Sequence, residues 1–244
     1  MAGNWKMYKT PADTTAFFTK FIPLVAAARD REIVIAAPYV DLAAALEATR
    51  GSNVEIGAQD VFWEKEGAFT GQISADMLQA AGVPWVIVGH SERRQYFGET
   101  DESVFRKTVA ALGVGLKPIV CVGEMLADRE AGRTGEVLNT QFAGGVAGLA
   151  PEQFARIVIA YEPVWAIGTG KTATPQMASD AHAAIRGLAA AKFGPPAADG
   201  LRILYGGSVK PENAKELMAE EQIDGVLVGG ASLKPEGFAS IVNF

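Results

Sequence analysis

The chain has 244 residues, of which 49% are hydrophobic, and this content excludes a largely disordered protein. Its 22 basic and 28 acidic residues give a net charge of −6, which argues against nucleic acid or an acidic membrane surface as a partner. A single cysteine excludes an intramolecular disulfide, and with only two histidines we expect no metal site. Because the sequence has neither a signal-peptide pattern nor an apolar stretch near the ~20 residues that span a bilayer, we expect a cytoplasmic protein.

Short apolar runs alternate with amphipathic stretches along the whole chain. Eight runs are predicted as strands, at 2–5, 33–37, 54–57, 85–88, 116–120, 157–161, 202–205 and 225–228. Helices are predicted between them, among others at 13–28, 101–112, 134–147, 175–192, 211–218 and 233–242.

The predicted strands are continuously apolar, which indicates a parallel sheet covered on both faces. Eight such βα units of about 30 residues predict an α/β fold, a closed (β/α)8 barrel, with an open doubly wound sheet as the alternative. The Pro/Gly-rich stretch 194–200 is predicted to be a connection, so residues 1–244 are expected to form one domain.

In such a barrel the functional residues lie on the loops after the strands. Lys6 follows the first strand, where its ammonium group can neutralise an anion. After the fourth strand, Ser91 is predicted to cap a short helix whose positive end keeps His90 a neutral hydrogen-bond donor. His182, within a helical pattern, is predicted to lie on a helix surface. Cys121 is predicted to be a small buried apolar residue, because no base is paired with it in the sequence.

The sixth strand ends at a carboxylate, Glu162. The loop after it contains Pro163 and two glycines, yet Trp165 and Ile167 make it too apolar for a loop that only faces water. This combination predicts a general base beneath a lid that closes over the site.

Glycine pairs follow the last two strands. Gly206 and Gly207 precede Ser208 after the seventh strand, and Gly229 and Gly230 follow the eighth. Such turns let backbone N–H groups converge on an anion, and these two loops are the usual phosphate site of a barrel. We therefore favour a phosphate site over the alternative of two simple tight turns.

The loop after Glu162 also contains residues that resemble nucleotide-binding motifs. A P-loop ending at Thr172 would need glycine where Trp165 stands, which excludes that motif. The residues 168–173 fit a loose dinucleotide pattern, but the strand does not run directly into the glycines, so this is a weak alternative.

Six segments resemble the motifs of the triosephosphate isomerase family, in order and from end to end. They are AGNWKM at 2–7, GAFTG at 67–71, VGHSERR at 88–94, AYEPVWAIGTGK at 160–171, YGGSV at 205–209 and LVGGAS at 227–232. The resemblance implies a TIM barrel that interconverts dihydroxyacetone phosphate and D-glyceraldehyde 3-phosphate in glycolysis and gluconeogenesis. It also implies that no cofactor or metal takes part.

The resemblance further implies a role for each site residue. Glu162 is the base that moves the proton. This family is a standard example of a glutamate base that is paired with a neutral histidine. His90 donates to the enediolate oxygens, Lys6 and Asn4 add electrostatic stabilisation, and Glu92 supports them or shuttles protons. Backbone N–H groups are implied to hold the phosphate at Gly168, Ser208, Gly229 and Gly230. Three side chains are implied to form the lid and its clamp: Ile167, Leu227 and Tyr205.

The loop from Gln59 to Ile73 resembles the arm with which this family contacts a second subunit, so we expect a homodimer. A loop folded back on its own barrel is the alternative. Asp60 and Gln72 depart from the family pattern of Asn and Glu, and the second change removes a carboxylate that would pair with an arginine such as Arg93. Two further functions stay open: a barrel enzyme acting on another small sugar phosphate, and a non-catalytic binding protein of the same fold.

Overall fold

A computed structural model describes residues 1–167 and 172–244. Within this part of the chain the strands close into a parallel barrel in the order β1 to β8, with β1 pairing both β2 and β8. The strands are β1 Ala2–Asn4, β2 Ile33–Ala37, β3 Val54–Ala58, β4 Trp85–Val88, β5 Lys117–Val122, β6 Val158–Tyr161, β7 Arg202–Tyr205 and β8 Gly225–Val228. The closed barrel confirms the predicted fold class and excludes the open sheet.

Helices connect the strands and surround the barrel. They are α1 Pro11–Val25, α2 Leu42–Ala48, α3 Ala75–Ala80, α4 Ser91–Phe97, α5 Asp101–Gly113, α6 Leu126–Glu130, α7 Thr134–Gly145, α8 Pro151–Phe154, α9 Pro175–Phe193, α10 Pro195–Gly200, α11 Pro211–Met218 and α12 Pro235–Val242. Short 3-10 turns occur at Tyr39–Asp41, Val164–Ala166 and Gly230–Leu233. In the described chain no helix is both long enough and apolar enough to cross a membrane.

The strands are apolar throughout because both of their faces are buried. In β2, Val34 and Ala36 belong to the core inside the barrel, whereas Ile33 and Ile35 belong to the larger core beneath the helices. Alternate side chains of a strand point to opposite faces, so a barrel strand supplies both layers. Cys121 lies in the inner layer and is fully buried, as predicted, and burial raises the pKa of its thiol.

Two predictions about helices were wrong. The stretch 194–200 is not a plain connection, because Pro195 begins α10, and proline is favoured at the first position of a helix. Helix α1 ends at Val25, three residues earlier than predicted. The Asn53 side-chain amide donates hydrogen bonds of 2.8 Å to the carbonyls of Val25 and Ala28, and this tertiary contact stabilises the chain where the helix stops.

His182 was predicted to lie on a helix surface, and the structure contradicts this. It is fully buried in α9, its ring packs edge-on against Tyr161 at 5.8 Å, and its Nδ1 lies 3.0 Å from the carbonyl oxygen of Gln222. Small alanines on either side of His182 hid the inward face of the helix from the sequence pattern.

Candidate active site

A cavity of about 410 Å³ opens at the carboxyl end of the barrel strands. It is lined by most of the predicted site residues, namely Asn4, Lys6, His90, Glu162, Ile167, Ser208, Leu227, Gly229 and Gly230. A second cavity of about 410 Å³ lies at the opposite end, beside Val34, Trp85 and Arg202. Volume therefore does not distinguish the two cavities, but barrel enzymes carry their chemistry at the carboxyl end, where the first cavity lies.

His90 and Glu162 form a buried pair on one wall of the carboxyl-end cavity. His90 Nε2 lies 2.9 Å from Glu162 Oε1, and the Ser91 backbone N–H donates to Glu162 Oε2 at 2.9 Å. Glu162 is 2% exposed and His90 5%. The backbone of Glu162 is held by its own N–H, which donates to the carbonyl of Val122 at 2.7 Å. These two residues follow β4 and β6, and the parallel pairing of both strands with β5 brings their carboxyl ends together.

The pair shifts the pKa of each partner. Burial alone would raise the pKa of Glu162, but His90, the Ser91 N–H and Lys6 together lower it. Burial alone would lower the pKa of His90, but Glu162 and then Glu92 raise it overall. The neighbouring carboxylate therefore outweighs burial and the helix end in the pKa of His90, while the role of His90 as a neutral hydrogen-bond donor stays a prediction.

Helix α4 begins one residue earlier than the sequence indicated. His90 is the N-cap, and its Nδ1 accepts the backbone N–H of Glu92 at 3.2 Å, so the predicted cap, Ser91, is the first helical residue. An imidazole nitrogen that accepts a hydrogen bond carries no proton. This contact leaves Nε2 as the nitrogen that donates to Glu162.

Lys6 occupies the other side of the cavity. Its backbone has φ of 52°, and its N–H donates to Asn4 Oδ1 at 3.0 Å. Its Nζ lies 2.6 Å from Glu92 Oε1, which places Glu92 at the cavity edge rather than in its lining. The side chain runs beside Gly229, where an added Cβ would lie 3.3 Å from Lys6 Cε. Asn4, Lys6 and Glu92 thus form one connected polar group, of which Asn4 and Lys6 line the cavity.

The glycine turns fit closely against the base and its strand. The N–H of Gly206 donates to the carbonyl of Tyr161 at 2.7 Å, and a Cβ at Gly206 would lie 3.0 Å from Glu162 Cγ. A Cβ at Gly207 would lie 2.2 Å from the hydroxyl of Tyr205. Tyr205 is fully buried, and burial raises its pKa to about 12, although the backbone N–H of Ala173 opposes the rise. A larger residue therefore does not fit at Gly207, and at Gly206 its Cβ would press against the Glu162 side chain.

Sequence reasoning missed Glu124, which follows β5. It is fully buried and accepts hydrogen bonds from the Tyr161 hydroxyl, at 3.0 and 3.1 Å, and from Trp165 Nε1, at 2.9 Å. The backbone N–H of Val164 also donates to the Glu124 carbonyl at 3.1 Å. The rule that functional residues follow barrel strands could have found this carboxylate. The predicted phosphate contact Gly168 lies outside the described residues.

In the two described segments, no group of three or more His, Cys, Asp and Glu side chains could hold a metal ion. The closed barrel, with an acid–base pair and tight glycine turns around a polar cavity at its carboxyl end, is that of a (β/α)8-barrel enzyme.

Comparisons with known proteins are consistent over the whole chain. The family model for triosephosphate isomerase matches residues 1–244. The triosephosphate isomerase of Solibacter usitatus is 67% identical over 244 residues, covering 100% of this chain and 98% of that protein. That of Trichlorobacter lovleyi is 54% identical and covers 100% and 97%. The crystal structure of triosephosphate isomerase from Bartonella henselae superposes with a TM-score of 0.89, at 38% identity, over 100% of this chain and 97% of that one. The chain belongs to the triosephosphate isomerase family and is an isomerase.

Proposed function

We propose that the chain interconverts dihydroxyacetone phosphate and D-glyceraldehyde 3-phosphate, the triose phosphates of glycolysis and gluconeogenesis, with Glu162 as the base. The observation that carries the proposal is the 2.9 Å contact between His90 Nε2 and Glu162 Oε1 at the cavity wall. The carboxylate takes a proton from C1 of the ketose, and the resulting enediolate holds the negative charge. A proton then passes from the C1 oxygen to the C2 oxygen, and the carboxylate returns its proton to C2, which gives the aldose. One carboxylate serves both steps in this scheme, because C1 and C2 are adjacent atoms.

His90 acts as the electrophile in this scheme. Its Nδ1 accepts the Glu92 N–H, so its Nε2 carries the proton and donates to the enediolate oxygens. The raised pKa of His90 depends on Glu162, whose contact the substrate replaces. Without that contact, burial and the helix N–H both favour the neutral ring. The same change removes a hydrogen bond from Glu162 and makes it a stronger base.

The remaining cavity residues bind the substrate. Lys6 supplies positive charge. Asn4 orients Lys6 by accepting its backbone N–H, and Glu92 holds the Lys6 ammonium group. The backbone turns at Ser208, Gly229 and Gly230 receive the phosphate, as glycine turns after the last two barrel strands commonly do. The contribution of Gly168 remains a prediction from the family resemblance.

We further propose that Ile167 and Leu227 exclude water around Glu162 during turnover, with Tyr205 and Ser208 as the latch. Both apolar side chains line the same cavity as the carboxylate. Water exclusion disfavours the charged carboxylate, which raises its pKa and its strength as a base.

We also infer a cytoplasmic homodimer whose contacts include the loop from Gln59 to Ile73. Large apolar side chains are exposed on the loops after β1, β2 and β3 and on α4, and these four connections are neighbours around the barrel. They include Met7, Tyr8, Val40, Phe69, Tyr96 and Phe97. A patch of this kind favours a protein partner, and a second copy is the partner that the family suggests.

A coupled assay of glyceraldehyde 3-phosphate formation from dihydroxyacetone phosphate tests the reaction. We expect the native protein and Glu152→Ala, an exposed glutamate on α8, to be equally active. Glu162→Ala is expected to lose at least about 10³-fold in kcat, since it lacks the base. An inactive native protein, or a fully active Glu162→Ala, contradicts the proposal.

A further inference from the structure

The side-chain amide of Gln141, on α7, makes two hydrogen bonds to the backbone of Gly123, the residue that follows β5. Its Oε1 accepts the N–H of Gly123 at 2.7 Å, and its Nε2 donates to the Gly123 carbonyl at 3.1 Å. One amide thereby satisfies both polar backbone groups of Gly123. Gly123 is half-buried, and backbone groups that are partly withdrawn from water favour such partners, so Gln141 helps to fix the position of Gly123.

Gly123 in turn lies directly against the backbone of the proposed base. A Cβ at Gly123 would lie 1.7 Å from the carbonyl oxygen of Glu162, a separation at which no side chain fits. The preceding residue is also in contact, since the Glu162 N–H donates to the Val122 carbonyl at 2.7 Å. The segment Val122 to Gly123 is therefore the surface on which Glu162 rests.

Packing alone does not hold this segment. A cavity of about 280 Å³ lies beside it, and Gly123, Gln141 and Glu162 all line this cavity. Where packed atoms are absent on one side, hydrogen bonds must fix the backbone, because the missing contacts offer no resistance to displacement. Loss of the Gln141 amide would remove the two hydrogen bonds that hold the Gly123 backbone beside that space.

We propose that Gln141 is a positioning residue for catalysis, acting on Glu162 through Gly123. Gln141 is not among the residues that line the substrate cavity, so it acts without touching substrate. This inference rests on the proposed role of Glu162 as the base. Since a displacement of about 1 Å in a reacting group can reduce turnover about 100-fold, the clamp belongs to the catalytic geometry as well as to the fold.

The test compares Gln141→Met with Asn139→Met, an exposed amide on the same helix. Methionine is unbranched and about as long as glutamine, so it fills the space but makes neither hydrogen bond. We expect Gln141→Met to lower kcat about 10- to 100-fold with KM close to the native value, because the phosphate turns are untouched. The acid limb of its kcat/KM–pH profile, which reports the base, is expected to shift. Asn139→Met is expected to match the native enzyme in all three quantities.

A native kcat and pH profile in Gln141→Met would overturn the proposal, as would a loss that disappears when rates are divided by the folded fraction from circular dichroism. If Gln141→Met does not fold, Gln141→Glu tests the proposal instead. Glutamate keeps an acceptor for the Gly123 N–H but has no donor for the Gly123 carbonyl. It is expected to lower kcat, and a native kcat contradicts the role. An inactive native protein would instead contradict Glu162 as the base, so the two failures are distinguishable.

Discussion

Trp165 Nε1 donates a 2.9 Å hydrogen bond to Glu124 Oε1, and this bond ties the segment after Glu162 to the end of β5. Glu124 also accepts from the Tyr161 hydroxyl, so one buried carboxylate serves two large aromatic donors. Arg129 Nη1 lies 3.8 Å from Glu124 Oε1. An apolar residue in place of Glu124 would remove the carboxylate that accepts both of these hydrogen bonds.

We therefore expect Glu124→Leu to destabilise the fold by about 1–3 kcal/mol, because the buried Tyr161 hydroxyl loses the carboxylate that accepts its hydrogen bond, and to lower kcat. Glu124→Gln is expected to be milder, because its amide can accept from Trp165 and donate to the Tyr161 oxygen. Urea unfolding and steady-state kinetics measure the two effects. Glu130→Gln, exposed at the end of α6, is the control. Equal stability of Glu124→Leu and the native protein contradicts the assignment.

Ile167→Ala is expected to weaken turnover more than stability. The side chain lines the substrate cavity and is only half-buried, so its loss removes water exclusion around Glu162 but little core packing. We expect kcat to fall about tenfold, a change of about 1.4 kcal/mol in the barrier, with a nearly native melting temperature. Kinetics and thermal melts on the same preparation provide the comparison. An unchanged rate would refute the clamp.

His182 predicts acid sensitivity of the fold. Burial lowers the pKa of His182 from 6.5 to about 4, with Arg186 adding to the effect and the Gln222 carbonyl opposing it. The folded state disfavours the charged ring, so the neutral ring of His182 contributes to the free energy of unfolding. This contribution is fully present above pH 6.5 and is lost as the pH falls towards about 4. The free energy of unfolding is expected to fall in this window by up to about 1.4 kcal/mol per pH unit from this group.

The variant His182→Phe checks this dependence. It keeps a buried ring against Tyr161 without a titrating nitrogen, so its unfolding free energy is expected to vary less with pH across that window. Asp180→Asn, exposed on the same helix, is expected to retain the native slope. Identical slopes for His182→Phe and the native protein would show that another group carries the acid sensitivity.

The dimer is expected to depend on α4. Phe97 is 68% exposed, and its ring lies 5.2 Å below the Arg93 guanidinium. Phe97→Glu places a charge in the proposed interface and is expected to shift the molar mass from two chains towards one, as measured by light scattering over a dilution series. Phe244→Glu, a partly exposed phenylalanine at the amino end of the barrel, is the control. A native mass of one chain throughout contradicts the dimer.

Arg93 forms its ion pairs within a single chain, which matters when two chains separate. Its guanidinium pairs within the chain with Asp60 at 2.8 Å and Glu99 at 3.1 Å, and Lys107 joins the same two carboxylates. Gln72 has no carboxylate that could pair with Arg93, and Asp60 supplies one instead. Because these charges are compensated internally, separating two chains need not leave Arg93 unpaired.

Local pattern alone predicted much of the barrel. The bounds of β2, β4, β7 and β8 agree with the predicted runs, because a strand buried on both faces must be apolar at every position. The glycine turns and the carboxylate after β6 were also readable, since turn chemistry and strand ends are properties of neighbouring residues. The pattern also indicated a base beneath a lid and a phosphate site, and the family resemblance assigned the individual roles.

Tertiary structure decided which groups meet. The burial of His182, the N-cap at His90, and the acceptors and donors of Glu124 and Gln141 all depend on contacts between residues distant in sequence. No local periodicity encodes such pairings, because hydrogen bonds and pKa shifts follow distance in space. The sequence placed a carboxylate and a histidine at two strand ends. The parallel pairing of β4 and β6 with β5 brought them to 2.9 Å, and the pKa shift of each follows from this contact together with burial.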